Sequence, residues 1–225
     1  MTGFADPVLE SQQAFRAIME AMARPTSVQP LPTGVQPPAP LSPELAAVIL
    51  TLADNDVALW LDAPLRAAPE VARYLRFHTS AVLVDNPADA DFALIAAPEA
   101  CPPLAAFRQG EPQFPERAAT LVLQADRFDA PDSRRFSGPG VAPDARALSS
   151  DVDAASPEGI PPGQTDSEKT RISANESGVL AVAPLPAGFD RQITLNRAQF
   201  PLGVDLIFVA PGAVSALPRS AILEG

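Results

Sequence analysis

The chain has 225 residues, a net charge of −11, and a single copy each of lysine, histidine and cysteine. That surplus of negative charge repels phosphate backbones, so no nucleic-acid partner is expected. With only Lys169, His78 and Cys101 available, a lysine imine, a histidine-rich relay and a zinc or iron–sulfur site are all poorly served.

Apolar residues make up 47% of the chain and aromatics only 6%, so the core is built from Leu, Val, Ala and Ile. The length suits one large domain or two small ones. A lone cysteine forms no internal disulfide, which points to the reducing cytoplasm. Met1 to Glu10 lacks the apolar region of a signal peptide, and no apolar run is long enough to span a membrane.

The first predicted element is an amphipathic helix in which Val8, Gln12, Phe15, Ile18, Met19 and Met22 recur at helical spacing. Its Phe–Ile–Met stripe is read as core packing, and Arg24-Pro25 ends it. A proline-rich connector from Pro30 to Pro40 follows. Ser42-Pro43-Glu44 then reads as an N-cap with proline at the first helical position. That second helix buries Leu45, Val48, Ile49 and Leu52 and ends at Asp54-Asn55-Asp56.

Strands and helices alternate from there. Strands are expected at Val57 to Leu61, Ala81 to Val84 (buried), Phe92 to Ala96 and Ala119 to Gln124. Helices are expected at Pro69 to Phe77 and Pro102 to Phe107. Residues 149 to 177 are rich in Ser, Asp, Pro, Glu and Gly and read as a mobile polar insertion. Val204 to Val209 and Val214 to Leu217 form a hairpin about Pro211-Gly212. The pattern is that of an α/β fold, a layered mixed sheet with flanking helices, in one domain over residues 1 to 225.

Candidate chemistry is sparse. Asp54, Asn55 and Asp56 lie at a helix-to-strand junction, where their oxygens suit either Mg²⁺ or the amides of a tight turn; the turn is favoured. Arg76 and His78 close a helix, where His78 acts as a C-terminal cap or joins Arg76 on a phosphate; the cap is favoured. Ser137-Gly138-Pro139-Gly140 offers backbone amides, yet the proline removes one donor, and a plain turn is the better reading. Asp205 interrupts an apolar strand and either caps a loop or faces a site. Cys101, before Pro102-Pro103, reads as a structural thiol.

Several segments taken together resemble the PhnH subunits of bacterial carbon–phosphorus lyase. They are Phe15-Arg16, Ala21-Met22, Leu50-Thr51-Leu52-Ala53-Asp54-Asn55-Asp56 and Leu75-Arg76-Phe77-His78-Thr79. Gly138-Pro139-Gly140, Asn196, Phe200-Pro201-Leu202-Gly203-Val204-Asp205 and Ala216-Leu217-Pro218-Arg219 continue the likeness. The first helix departs from it by ending Arg24-Pro25-Thr26 in place of a Pro-Gly turn. The resemblance implies a cytoplasmic subunit of phosphonate breakdown, working with PhnG-, PhnI-, PhnJ- and PhnL-type subunits. It supports displacement of adenine from ATP by a phosphonate, giving a ribose 1-phosphonate 5-triphosphate. The implied fold is similar to that of pyridoxal-phosphate-dependent transferases, without that cofactor. ATP, with Mg²⁺, would enter at the level of the complex, and homodimerisation is left open. The resemblance brings no catalytic residue. It leaves Gly138, Gly140, Asn196, Asp205 and Arg219 as motif residues of unassigned role; the rival readings are a non-catalytic scaffold subunit and a free-standing nucleotide or sugar-phosphate enzyme.

Overall fold

The computed structural model describes residues 2–141 and 178–224; the insertion expected at 149–177, with Lys169, lies outside the described residues. In chain order the elements are α1 (Pro7–Ala23), β1 (Gln29–Pro30), α2 (Pro43–Leu52), β2 (Ala58–Leu61), α3 (Ala63–Arg66), α4 (Pro69–Thr79), β3 (Val82–Val84), β4 (Phe92–Ile95), β5 (Thr120–Gln124), β6 (Arg134–Ser137), β7 (Val179–Leu180), α5 (Phe189–Ala198), β8 (Asp205–Ala210), β9 (Ala213–Leu217) and β10 (Ile222–Leu223). Seven strands form one mixed sheet in the order β1-β9-β8-β5-β4-β2-β3, and β10-β6-β7 form a small antiparallel one. Within the large sheet β3, β2, β4, β5 and β8 run parallel, and the β8–β9 and β9–β1 pairs are antiparallel.

Alternation along these strands builds two cores. On one face Leu59, Leu61, Leu94, Val122, Ile207 and Val209 pack beneath α1, α2 and α4. On the other, Trp60, Ile95, Leu121, Leu123, Leu206 and Phe208 meet Phe107, Phe136, Phe189 and Ile193. Strands covered on both faces read as unbroken aliphatic runs, which is why they are legible in sequence.

Local chemistry sets the helix ends. Asp6 Oδ1 accepts the Val8 and Leu9 amides at 3.1 and 3.0 Å, while Glu10 reaches back to the Asp6 amide at 3.0 Å. Ser42 caps α2 through the Leu45 amide at 3.2 Å, as expected from Ser42-Pro43-Glu44. After α1 the chain turns through Thr26, at φ +71°, whose amide donates to Ala216 O at 3.0 Å and ties the turn to β9.

Three expectations are corrected. The α1 stripe is only partly core: Ile18 is buried, but Phe15 and Met19 are 48% and 49% exposed. The helix buries its small face, Ala14 and Ala21 beside Ile18, where it packs on α2 and β9. The strand expected to be buried at Ala81 to Val84 is the sheet's edge, with Val82 56% exposed. The helix expected over Pro102 to Phe107 is a single 3₁₀ turn, Leu104–Ala106, because the chain leaves helical geometry at Phe107, which is extended.

Candidate functional site

Most of the residues singled out from sequence gather at the amino-terminal ends of the parallel strands. Asp205 opens β8 and Arg219 follows β9. Arg219 Nε lies 3.0 and 3.1 Å from the two Asp205 oxygens, and Nη2 closes the fork on Oδ2. The Arg219 backbone amide adds a bond to Asp205 Oδ1 at 2.8 Å, and Nη1 donates to Pro115 O at 2.7 Å. The pair therefore locks the end of β9, the start of β8 and the loop before β5 together.

Asn196 lies beside it, buried in α5. Its Nδ2 donates to Val204 O at 2.9 Å and its Oδ1 accepts the Val204 amide at 2.8 Å. A side chain at Gly203, where φ is +104°, would stand 2.7 Å from Asn196 Oδ1, so glycine is required at that close approach. Gly140, at φ +79°, presses on the end of α1: a Cβ there would lie 2.3 Å from Ala23 O. Gly138 faces Ser220 O, just beyond Arg219, at a Cβ distance of 3.1 Å. Gly138, Gly140, Asn196, Asp205 and Arg219 thus meet as the fastening of α1, α5 and β8 around one end of the sheet.

Asp54, Asn55 and Asp56 lead into β2 at that end but stand apart from this fastening. Asp54 Oδ1 accepts the Asp56 amide at 3.0 Å, and Asn55 Nδ2 donates to Asp56 Oδ1 at 2.8 Å, so one oxygen of each aspartate already serves the turn. Arg76 and His78 close α4. Two residues apart on a helix they diverge by about 200°, and they do not face one another. Arg76 is exposed. His78 packs tilted against Tyr74, at 4.5 Å between ring centroids and 57° between planes, and lies against Gly3, where a Cβ would be 2.8 Å from Cε1. His78 stays largely exposed, and the desolvation of its ring lowers its pKa from the ordinary value.

The carboxyl ends of the parallel strands hold a carboxylate that sequence reading missed. Asp62, only 4% exposed, follows β2 and caps α3 through the Leu65 amide at 3.2 Å. Its Oδ2 accepts the Ala96 and Ala97 amides at 2.7 and 2.9 Å. Desolvation raises its pKa, against the lowering effect of those amides. Asp62-Ala63-Pro64 shows the cap in sequence; the long-range amides leave no local mark. Cys101 is buried nearby, and burial together with the Asp62 charge pushes its thiol up to about 12, an inert group. A second unforeseen pair, Arg108 with Asp91 at 2.5 Å, braces the start of β4, and Asp91 Oδ2 also accepts the Ala58 amide at 2.8 Å.

Among the described residues no three His, Cys, Asp or Glu side chains lie together as a metal-holding group. Asp62, Asp205, Asn196 and Arg219 are committed to hydrogen bonds within the chain. Open clefts lie elsewhere, along α1: one of about 640 Å³ against β1 and one of about 400 Å³ toward Thr51 of α2, with Gln12 and Arg16 lining both.

A family model described as bacterial phosphonate metabolism protein (PhnH) matches residues 2–158 and 174–224. The chain belongs to the PhnH family. It is 33% identical over 221 residues to the alpha-D-ribose 1-methylphosphonate 5-triphosphate synthase subunit PhnH of Rhizobium meliloti (strain 1021), covering 98% of this chain and 94% of that protein. It is also 29% identical over 212 residues to the putative C-P lyase subunit protein HtxG of Stutzerimonas stutzeri, covering 93% of this chain and 83% of that protein. Within this PhnH-family chain, the motif segments quoted from sequence are largely the ones that fasten the sheet's amino-terminal end. No helix among the described residues is long and apolar enough to cross a membrane.

Proposed function

We propose that the chain is a cytoplasmic subunit of a carbon–phosphorus lyase system and supports transfer of a phosphonate onto the ribose of ATP with release of adenine. The kinship with a protein named as a subunit of ribose 1-methylphosphonate 5-triphosphate synthase carries this reading. Its partners are PhnG-, PhnI-, PhnJ- and PhnL-type subunits, and ATP with Mg²⁺ is bound by the assembly, with neither held by this chain alone. The fold is akin to that of pyridoxal-phosphate-dependent transferases with the cofactor function absent, in keeping with a single lysine at position 169.

A supporting role is favoured over chemistry by this chain because the residues fastened at the sheet's amino-terminal end use their polar groups on one another and on backbone. Asp205 and Arg219 spend their charge on each other, and Asn196 spends both polar atoms on Val204. The test is reconstitution. The chain is co-expressed with the candidate partners, and adenine release from ATP is measured with methylphosphonate present. Activity that disappears when this chain alone is omitted supports the reading; full activity without it, or turnover by the isolated chain, overturns it.

A further inference from the structure

The outward face of α1 is built like a buried surface. Val8 and Leu9 are 69% and 52% exposed, alongside Phe15 and Met19. Positions 8, 12, 15 and 19 fall on one stripe of the helix, opposite the buried Ala14, Ile18 and Ala21. Three large apolar side chains in one exposed stripe, Val8, Phe15 and Met19, with Leu9 at its flank, mark an interaction surface more often than a plain solvent face.

Arg16 borders that stripe without a hydrogen bond or ion pair among the described residues. The carboxylates of its own helix are engaged elsewhere: Glu20 pairs with Arg24 at 3.0 Å, and Glu10 accepts the Ala5 and Asp6 amides at 3.1 and 3.0 Å. In a chain of net charge −11 an unmatched guanidinium between two clefts is a specific invitation to an outside carboxylate. The cleft against β1 ends on Pro30, at the edge of the large sheet. Proline presents no amide, so an incoming segment does not extend the sheet there. What fits is side-chain packing into the clefts, the mode of an amphipathic helix laid in a groove.

We infer that the outward face of α1, centred on Phe15, Arg16 and Met19, docks a different polypeptide. That partner is a subunit whose helix sets apolar side chains against Phe15 and Met19 and a carboxylate on Arg16. The inference rests on the subunit reading above and adds the surface and the chemistry of the partner. A second copy of this chain fits less well. A two-fold contact would set this face against itself, where Glu10 and Glu20 are already taken, and would bring two strongly acidic chains together.

The test uses the full chain, tagged and co-expressed with the PhnG-, PhnI- and PhnJ-type subunits of the same source, with masses read by light scattering. Phe15→Glu and Arg16→Glu alter the stripe, and Leu195→Glu alters an equally exposed leucine on α5 as control. Arg16→Ala and Met19→Ala serve as milder forms, and circular dichroism checks the fold of each. Wild type and Leu195→Glu should carry the partners at full stoichiometry, while Phe15→Glu and Arg16→Glu lower the recovered partner by about tenfold or more. Folded stripe variants that assemble as wild type does would overturn the docking face and leave the subunit reading standing. A homodimer that the same variants dissolve would assign the face to a second copy instead. A wild-type chain that binds none of the subunits would remove the subunit reading, and this inference with it.

Discussion

Asp205 and Arg219, fourteen positions apart, close a two-oxygen fork at the point where β8 begins and β9 ends. Their side chains are only 15% and 14% accessible, so water does little to screen the pair. The same arginine reaches Pro115 O, and one guanidinium thereby joins three segments remote in sequence. Asp205 looks from sequence like a fault in an apolar strand. In the fold it is what fixes the strand's start.

Removing one partner of such a pair strands the other charge. Arg219→Ala should destabilise the chain by about 3 kcal/mol, and Arg219→Lys by less, since an ammonium keeps the charge but not the fork. Asp205→Asn combined with Arg219→Ala should cost less than the two single changes added together. Urea unfolding of the four proteins gives the coupling; single effects that simply add would mean the contact contributes nothing.

Asp62 makes a comparable prediction at the opposite end of the sheet. Its three amide donors occupy both oxygens, and an asparagine there presents one acceptor and turns an NH₂ toward at least one backbone N–H. Asp62→Asn should therefore cost about 1–3 kcal/mol despite removing a buried charge whose desolvation opposes folding. A variant as stable as wild type, or more so, would show that desolvation outweighs the amide bonds.

What sequence made legible was local. Aliphatic runs marked the strands, Ser42-Pro43 marked a helix start, and Pro211-Gly212 marked the hairpin, whose glycine takes φ +72°. What escaped depends on the order of strands and on partners far along the chain. Val82 is exposed because β3 falls at the edge, and nothing within Ala81 to Val84 says so. Asp62 and Asp91 are bound by amides 33 to 35 residues away. The α1 stripe misled for another reason: helical spacing says that a face is apolar and is silent on whether this chain or another covers it.

Cys101 tests the inertness that burial and a neighbouring carboxylate give a thiol. With its pKa pushed up to about 12, it should resist an aromatic disulfide reagent at neutral pH in the native chain and react at once in denaturant. Asp62→Asn should raise the native rate through loss of the local charge. Rapid labelling of the folded wild type would overturn this placement of the thiol.

His78 gives the chain a pH dependence of definite sign. Folding lowers its pKa below the ordinary 6.5, through desolvation of the ring, so the neutral imidazole is the form the native state prefers. Its contribution is complete above that ordinary value. As pH falls through it, the unfolded chain takes up the proton first and stability drains, until the folded imidazole is protonated too. Melting temperature should thus decline from pH 7.5 to 5.5 more steeply in wild type than in His78→Gln. Carboxylates shared by both proteins cancel in that comparison. Parallel curves would mean that the contact with Tyr74 and Gly3 leaves the ring as free to protonate as it is in the unfolded chain.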